Sequence, residues 1–377
     1  MSSGKHLVYA WITYLFAFCG IAGFYFDIRT GKLIKSRVLC IYSRLLSLFI
    51  LSTFPTMINI YWIKAPTFLT QSKLTVVLII AYPTSSLITV LSCIFCVNRW
   101  QHRIFKLMED LLKMEEFAIE PNYSITPSQQ PYLRRLFWIR FLLLMGEDVV
   151  FILRMLLGQS GFFFYYSVLV ARVMKGGLYF LLFNLIWQIS YTFMKLQTYL
   201  ENLLFQPMPM SRKQTKLLEL HRMYCRLVHM INELCIIFKY PLACCLLKLT
   251  CNSCLSGYTL FRLLFGKPMK SFAPKTDWLI LTLSVSDALE LYILASIANT
   301  AGDLHDSTFH ILRYPYFDLD LLERSNDWLA LQLIWQNKNI HIFGVLNINL
   351  RLVFIFITSM VLHIIYMIQS DYDYLSI

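Results

Sequence analysis

Residues 352–370 read LVFIFITSMVLHIIYMIQS. No formal charge interrupts them, and about 20 apolar residues in a helix cross a hydrocarbon core about 30 Å thick. The stretch is not uniformly oily. Thr358, Ser359, His363, Tyr366 and Gln369 give it polar character, and Asp371 and Asp373 follow it. A membrane helix polar on one face and ending in carboxylates suits a cation path, because acidic groups at a mouth raise the local cation concentration. The competing reading is a packed helix with a solvated tail.

Working outward, this helix belongs to the stretch Ile340–Ile368 and is preceded by seven others: Leu7–Phe26, Val38–Ile63, Leu74–Val97, Leu136–Leu157, Phe162–Phe193, Leu234–Phe261 and Trp278–Ala298. The whole chain agrees. Its 377 residues are 57% hydrophobic and only 15% charged, with mean hydropathy +0.56. An average soluble domain is about 45–50% apolar and about 25% charged. A disordered chain, a nucleic-acid-binding tail protein and an ordinary cytosolic enzyme are thereby excluded.

The net charge of +12 then reads as topology, since Lys and Arg crowd cytoplasmic loops. Arg29, Lys32, Lys35 and Arg37 separate the first two stretches. If Leu7–Phe26 spanned the membrane from inside, that cluster would lie outside. It therefore reads as embedded but returning to, or lying along, the cytoplasmic side. Seven spans follow. Counting Lys and Arg gives 20 in cytoplasmic segments against 6 in exterior ones. The contrary loop carries Arg262, Lys267, Lys270 and Lys275. The expectation is an all-α polytopic membrane protein: seven transmembrane helices plus an N-terminal membrane-embedded segment, cytoplasmic N-terminus, extracellular C-terminus. It divides into an N-terminal segment (1–37), helices one to four (38–193), a cytoplasmic helical extension (194–233), helices five and six (234–298), a second cytoplasmic segment (299–339), and the seventh helix with a short tail (340–377). The acceptor pattern Asn122-Tyr123-Ser124 falls inside the cell and stays unused.

Ten cysteines, nine within apolar stretches and Cys225 just before one, argue against a disulfide-stapled ectodomain. The pairs Cys93/Cys96 and Cys251/Cys254 lie on membrane helices with no nearby His in sequence, and read as small buried thiols rather than a zinc site. No metal or cofactor is expected. The exterior loops are short, so any ligand enters between helices.

Charges inside spans are expensive and need a partner or water. Arg140 and Glu147, and Glu147 and Arg154, are seven apart and near one helix face. Asp287 and Glu290 share a face and could pair with Arg172, Lys175 or Lys248; the alternative is a water-filled cavity lined by these groups. Aromatics at 162–166 read as an interfacial belt, with Tyr165 and Tyr166 as possible pocket walls beside Tyr258 and Trp278. The candidate ligand contacts are therefore Glu147, Tyr165, Tyr166, Tyr258, Trp278 and Asp287. Leu217, Leu220, Tyr224, Leu227, Ile231 and Leu234 are spaced 3, 4, 3, 4, 3, a coiled-coil-like seam. It leads without a break to Pro241, so 211–261 could be one helix of about 75 Å. The seam packs either on its own subunit or on another.

Several segments resemble the insect gustatory receptor family of ligand-gated ion channels. They are Phe26-Asp27-Ile28-Arg29-Thr30-Gly31-Lys32, the run Leu220-His221 to Leu227 with Ile231-Asn232, Ala298, Ala301-Gly302, Leu304-His305, and Gly344 with Asn347. The family signature is Thr-Tyr, five apolar residues, then Gln-Phe; here Leu362, His363 and Ser370 replace Thr, Tyr and Phe, and Gln369 is kept. The resemblance implies a homo- or hetero-tetramer in the lipid bilayer, whose four seventh helices line one pore. It implies a cytoplasmic anchor from the inner parts of helices four to seven, which would give the 211–234 seam a role in assembly. Gln369 becomes the polar pore residue, with Tyr366 and Ser370 at the gate. It further implies a small-molecule tastant, bitter compounds among them, a non-selective cation current and the plasma membrane of gustatory neurons. A G-protein-coupled receptor is the rival, but the charge count opposes an exterior N-terminus, and Asp/Glu-Arg-Tyr and Asn-Pro-x-x-Tyr are missing from the third and last spans. A transporter predicts internal repeats, and none is evident. No H-E-x-x-H, G-x-S-x-G or P-loop supports an enzyme.

Overall fold

The structure, a computed structural model, describes residues 2–64, 73–117, 130–157, 162–205, 209–265, 274–313, 330–331 and 339–370. Its elements are α1 (Ser2–Phe18), strands β1 (Phe24–Asp27) and β2 (Lys32–Lys35), α2 (Arg37–Lys64), α3 (Lys73–Phe117), α4 (Gln130–Leu157), α5 (Phe162–Phe205), α6 (Met210–Phe265), α7 (Pro274–Arg313), strands β3 (His341–Ile342) and β4 (Leu346–Asn347), and α8 (Leu350–Ser370). Helices α2 to α8 fall on the seven expected spans. Val168–Leu204, Ser211–Tyr258 and Leu350–Gln369 are each long and apolar enough to cross a membrane.

The all-helical expectation needs a local correction at the start. The apolar run to Phe26 does not stay helical. Helix α1 ends at Phe18, Gly20 takes φ 72°, and the chain pairs Phe24 with Lys35 through Asp27 with Lys32 in an antiparallel hairpin. At about 1.5 Å per residue α1 is about 26 Å long, short of the hydrocarbon thickness. The hairpin loop explains the local sequence. Asp27 accepts hydrogen bonds from the Thr30 hydroxyl (2.8 Å) and the Arg29 backbone N–H (3.0 Å). These bonds, the Thr30 one foremost, hold its carboxyl below the usual range. Gly31 supplies φ 67°, a left-handed conformation costly for residues with a Cβ.

Helix α5 occupies the centre. Leu178, Phe180, Leu181, Leu185, Ile189 and Phe193 are wholly buried, and α5 packs on α3, α4, α6 and α7. A helix apolar on all sides belongs inside a bundle. Helix α6 is one element of 56 residues and runs through Pro241. Proline removes the N–H that would bond the carbonyl four residues back. The freed Ile237 carbonyl instead accepts from the Cys96 thiol of α3, sulfur to oxygen 3.4 Å. The Tyr179 hydroxyl of α5 donates to the Pro241 carbonyl at 2.8 Å. Helix α3 likewise continues through Pro83.

The seam on α6 is settled by burial. Leu217, Leu220, Tyr224, Leu227, Ile231 and Leu234 are all buried within this chain. Tyr224 exchanges a 2.9 Å hydrogen bond with Thr308 of α7. Of the two packings open to the seam, these side chains take the one on the chain's own helices.

Strands β3 and β4 join through a tight turn in which Phe343 and Gly344 have φ of 53° and 73°. Two positive φ values mark the turn type whose twist matches a hairpin. Asn349 then caps α8, its side-chain oxygen accepting from Leu352 N–H at 2.9 Å.

Candidate functional site

Eight charged side chains converge from four helices. Helix α4 brings Arg140, Glu147 and Asp148, α5 brings Arg172 and Lys175, α6 brings Lys248, and α7 brings Asp287 and Glu290. Arg140 Nη2 lies 2.6 Å from Glu290 Oε1, with side chains 3% and 9% exposed. Arg172 Nη2 donates to Glu147 Oε2 at 2.6 Å, and its Nε lies 4.0 Å from Asp148. Asp287 is reached by Lys248 Nζ at 2.8 Å and by Lys175 Nζ at 3.5 Å. Asn252 Nδ2 adds 3.0 Å to Asp287, and the Ser286 hydroxyl donates to Glu147.

The formal charges of the eight sum to zero. That matters in a medium of low dielectric, where an uncompensated ion costs several kcal/mol. Carboxylate oxygens of Glu147, Asp287 and Glu290 lie within 4.8 Å of one another, a spacing that could hold a metal ion. Each, however, already has a basic partner, which gives the convergence a purely ionic account.

The predicted pairing is thus resolved between helices. Of the partners the sequence left open, Asp287 takes Lys175 and Lys248, Glu147 takes Arg172, and Glu290 takes Arg140. The side chain of Arg154 lies outside the described residues. Sequence reasoning missed Asn252 and Ser286. The signal was there: Asn252 is four residues from Lys248 on one face of α6, and Ser286 adjoins Asp287.

Beside the Arg140–Glu290 pair lies a cavity of about 30 Å³, room for about one or two waters. Tyr179, Leu242, Cys245, Leu294 and Ile348 help to line it, and Leu352 closes it from α8. The Arg140 Nη1 donor has no hydrogen-bond acceptor among the described residues. Of the eight charged side chains the cavity touches only Arg140 and Glu290, and its other walls are largely apolar.

Tyr258 of α6 is 1% exposed and packs with Cys254 against Met360 and Met367 of α8. It faces the seventh helix rather than the charge cluster. Tyr165, Tyr166 and Trp278 sit on α5 and α7, but their side chains, like that of Ser370, lie outside the described residues. All ten cysteines are free thiols, and Cys93 and Cys96 are buried between helices as expected.

Helix α8 is attached along one line. Val353, Met360 and Met367 are buried, while Phe354, Ile357, Leu362 and Tyr366 are well exposed. Gln369, His363, Thr358 and Ser359 are also exposed. Only 17% of its apolar window is buried.

Seven long helices, with α5 enclosed among the others, an ion-paired centre and a thinly attached last helix, define a polytopic membrane protein. Residues 6–374 match the family model of the 7tm chemosensory receptors, and the chain belongs to that family. It is a family of chemoreceptors, not of enzymes. The chain is 28% identical to "Putative gustatory receptor 85a" of Drosophila melanogaster, over 99% of this chain and 94% of that one. The fold matches the insect olfactory receptor OR5 from Machilis hrabei, solved in complex with eugenol. That match has TM-score 0.70 and 13% identity, and covers 97% of this chain and 100% of that one.

Proposed function

We propose that this chain is a subunit of a ligand-gated, non-selective cation channel that detects small organic tastants at the plasma membrane of gustatory sensory neurons. The N-terminus lies in the cytoplasm and the C-terminus outside. Four copies, or copies of related receptors, surround one pore lined by α8. The observation that carries this reading is the one-sided attachment of α8. Its buried line, Val353, Met360 and Met367, lies about 180° around the helix from Gln369 at about 3.6 residues per turn. The uncovered side presents Thr358, Leu362, Tyr366 and Gln369. A polar residue on a membrane helix is costly against lipid and cheap against water.

Tyr366 and Ser370 flank Gln369 as gate positions. Ligand enters from outside among the second to sixth spans, contacting Tyr165, Tyr166, Tyr258 and Trp278, with Glu147 and Asp287 as the polar groups of that region. Tyr258 touches α8, so a ligand that moves it biases the pore helix directly. Binding opens the channel only by the difference in its affinity for the two states. The related gustatory receptor supports taste as the modality, and the eugenol complex of the structural relative supports a small aromatic or apolar ligand.

The test is expression in a cell without endogenous receptors, alone and with candidate partner receptors, recording current against a panel of tastants. Replacing Gln369 by Ala or Glu is expected to change the cation permeability ratio or conductance of an evoked current. An unchanged ratio with normal current amplitude would remove Gln369 from the pore. A tastant response that persists with no conductance would favour signalling through G proteins.

A further inference from the structure

We propose that Arg351 forms a positive ring at the cytoplasmic mouth of the pore and makes cation flow easier inward than outward. The inference rests on the tetrameric pore reading above and goes beyond it.

Arg351 is exposed at the start of α8. Among the described residues it makes no hydrogen bond, ion pair or ring contact. It stands 18 positions before Gln369. At about 100° per residue that is five full turns, so the two side chains leave the helix on the same meridian. Thr358 and Leu362 lie within about 20° of that line by the same count. Neither proline nor glycine occurs between 350 and 370 to kink the helix or shift the meridian. The buried line of Val353, Met360 and Met367 is on the opposite side. A helix whose Gln369 faces a central axis therefore aims Arg351 at the same axis, about 27 Å away along it.

The charge is not offset locally. Helix α8 has no acidic residue in its first turn, and the exposed N–H groups of a helix start are themselves partially positive. A cation at this position is the less favourable choice for the helix alone. Four such ends around one axis sum to a strong positive potential. It acts within about 8 Å at physiological ionic strength. Cations are depleted there before they can leave the cell, whereas those entering from outside meet this potential only after passing the level of Gln369.

The experiment compares tastant-evoked currents at equal positive and negative potentials in symmetrical solutions for the unaltered chain, Arg351→Lys, Arg351→Gln and Arg351→Glu, with Gln369→Glu alongside. The unaltered chain and Arg351→Lys are expected to rectify inwardly. Arg351→Gln should raise outward current about two-fold or more, and Arg351→Glu further still. Raising internal salt should flatten the rectification of the unaltered chain, a readout that needs no variant to fold. Rectification that is indifferent to charge at 351 and to salt, while Gln369→Glu alters permeation, overturns the ring and leaves the pore reading standing. Permeation unaffected by either position overturns the pore reading itself. Outward rectification of the unaltered chain that Arg351→Gln abolishes would put the mouth on the wrong side and overturn the proposal.

Discussion

Arg140 and Glu290 meet at 2.6 Å with almost no exposed surface. Removing one partner leaves the other buried and unpaired, at a cost of about 3–5 kcal/mol. Arg140→Gln or Glu290→Gln alone is therefore expected to reduce surface expression severalfold, measured by biotinylation. The double variant Arg140→Gln with Glu290→Gln should recover most of it, because two neutral amides can bond each other. No recovery would mean that each residue serves some contact beyond the pair. Sequence alone showed that these charges needed partners, but it could not choose among them. Arg140 and Glu290 sit on α4 and α7, some 150 positions apart, and the choice depends on how the helices rotate. Tyr258 illustrates the same limit. Its depth in the membrane could be read from the sequence, whereas its contact with Met360 and Met367 depends on how α6 meets α8.

At the scale of elements, α6 and α8 approach each other closely at Gly257. A Cβ there would overlap Ile364 of α8 and lie 2.9 Å from its Cγ1. Gly257→Ala must turn the Ile364 side chain aside or push α8 outward, an overpacking cost of about 1–3 kcal/mol. If that cost differs between closed and open states, each 1.4 kcal/mol of difference changes the equilibrium about tenfold. The expected outcome is a shifted half-maximal tastant concentration with unchanged ion permeability; normal dose response would show that the contact is slack in both states. Long elements were the most legible part of the chain. The 3, 4, 3, 4, 3 spacing on α6 marked an amphipathic helix and placed its buried side chains correctly. It could not say whose atoms would cover them. The region after Phe18 was less legible, since a short apolar run fits a strand or a helix equally. What decided it was Gly20 with its positive φ and the Asp27–Thr30 loop.

For the whole molecule, the proposed orientation follows from the distribution of Lys and Arg, with 20 inside and 6 outside. A tag at the N-terminus is expected to be reached by antibody only after permeabilisation, and Asn122 to carry no glycan. A glycan on Asn122, read as a mobility shift removed by endoglycosidase, would invert the topology and with it the polarity assigned to the pore. The seven-helix plan was legible because apolar length is a one-dimensional property. The enclosure of α5 was not, because burial on all sides is a property of the other helices as much as of its own sequence.

The ion-paired centre also imposes an order on how the chain is made. Arg172 on α5 finds Glu147 on α4, the helix made just before it, so that ion pair can form as soon as α5 follows α4 out of the translocon. Lys175 on the same helix has no carboxylate of α4 within ion-pair distance among the described residues. Its carboxylate, Asp287, belongs to α7 and emerges from the ribosome more than a hundred residues later. Until then Lys175 on α5, like Arg140 on α4, lacks its close partner, and the nascent protein has reason to stay beside the insertion machinery until the sixth span is complete.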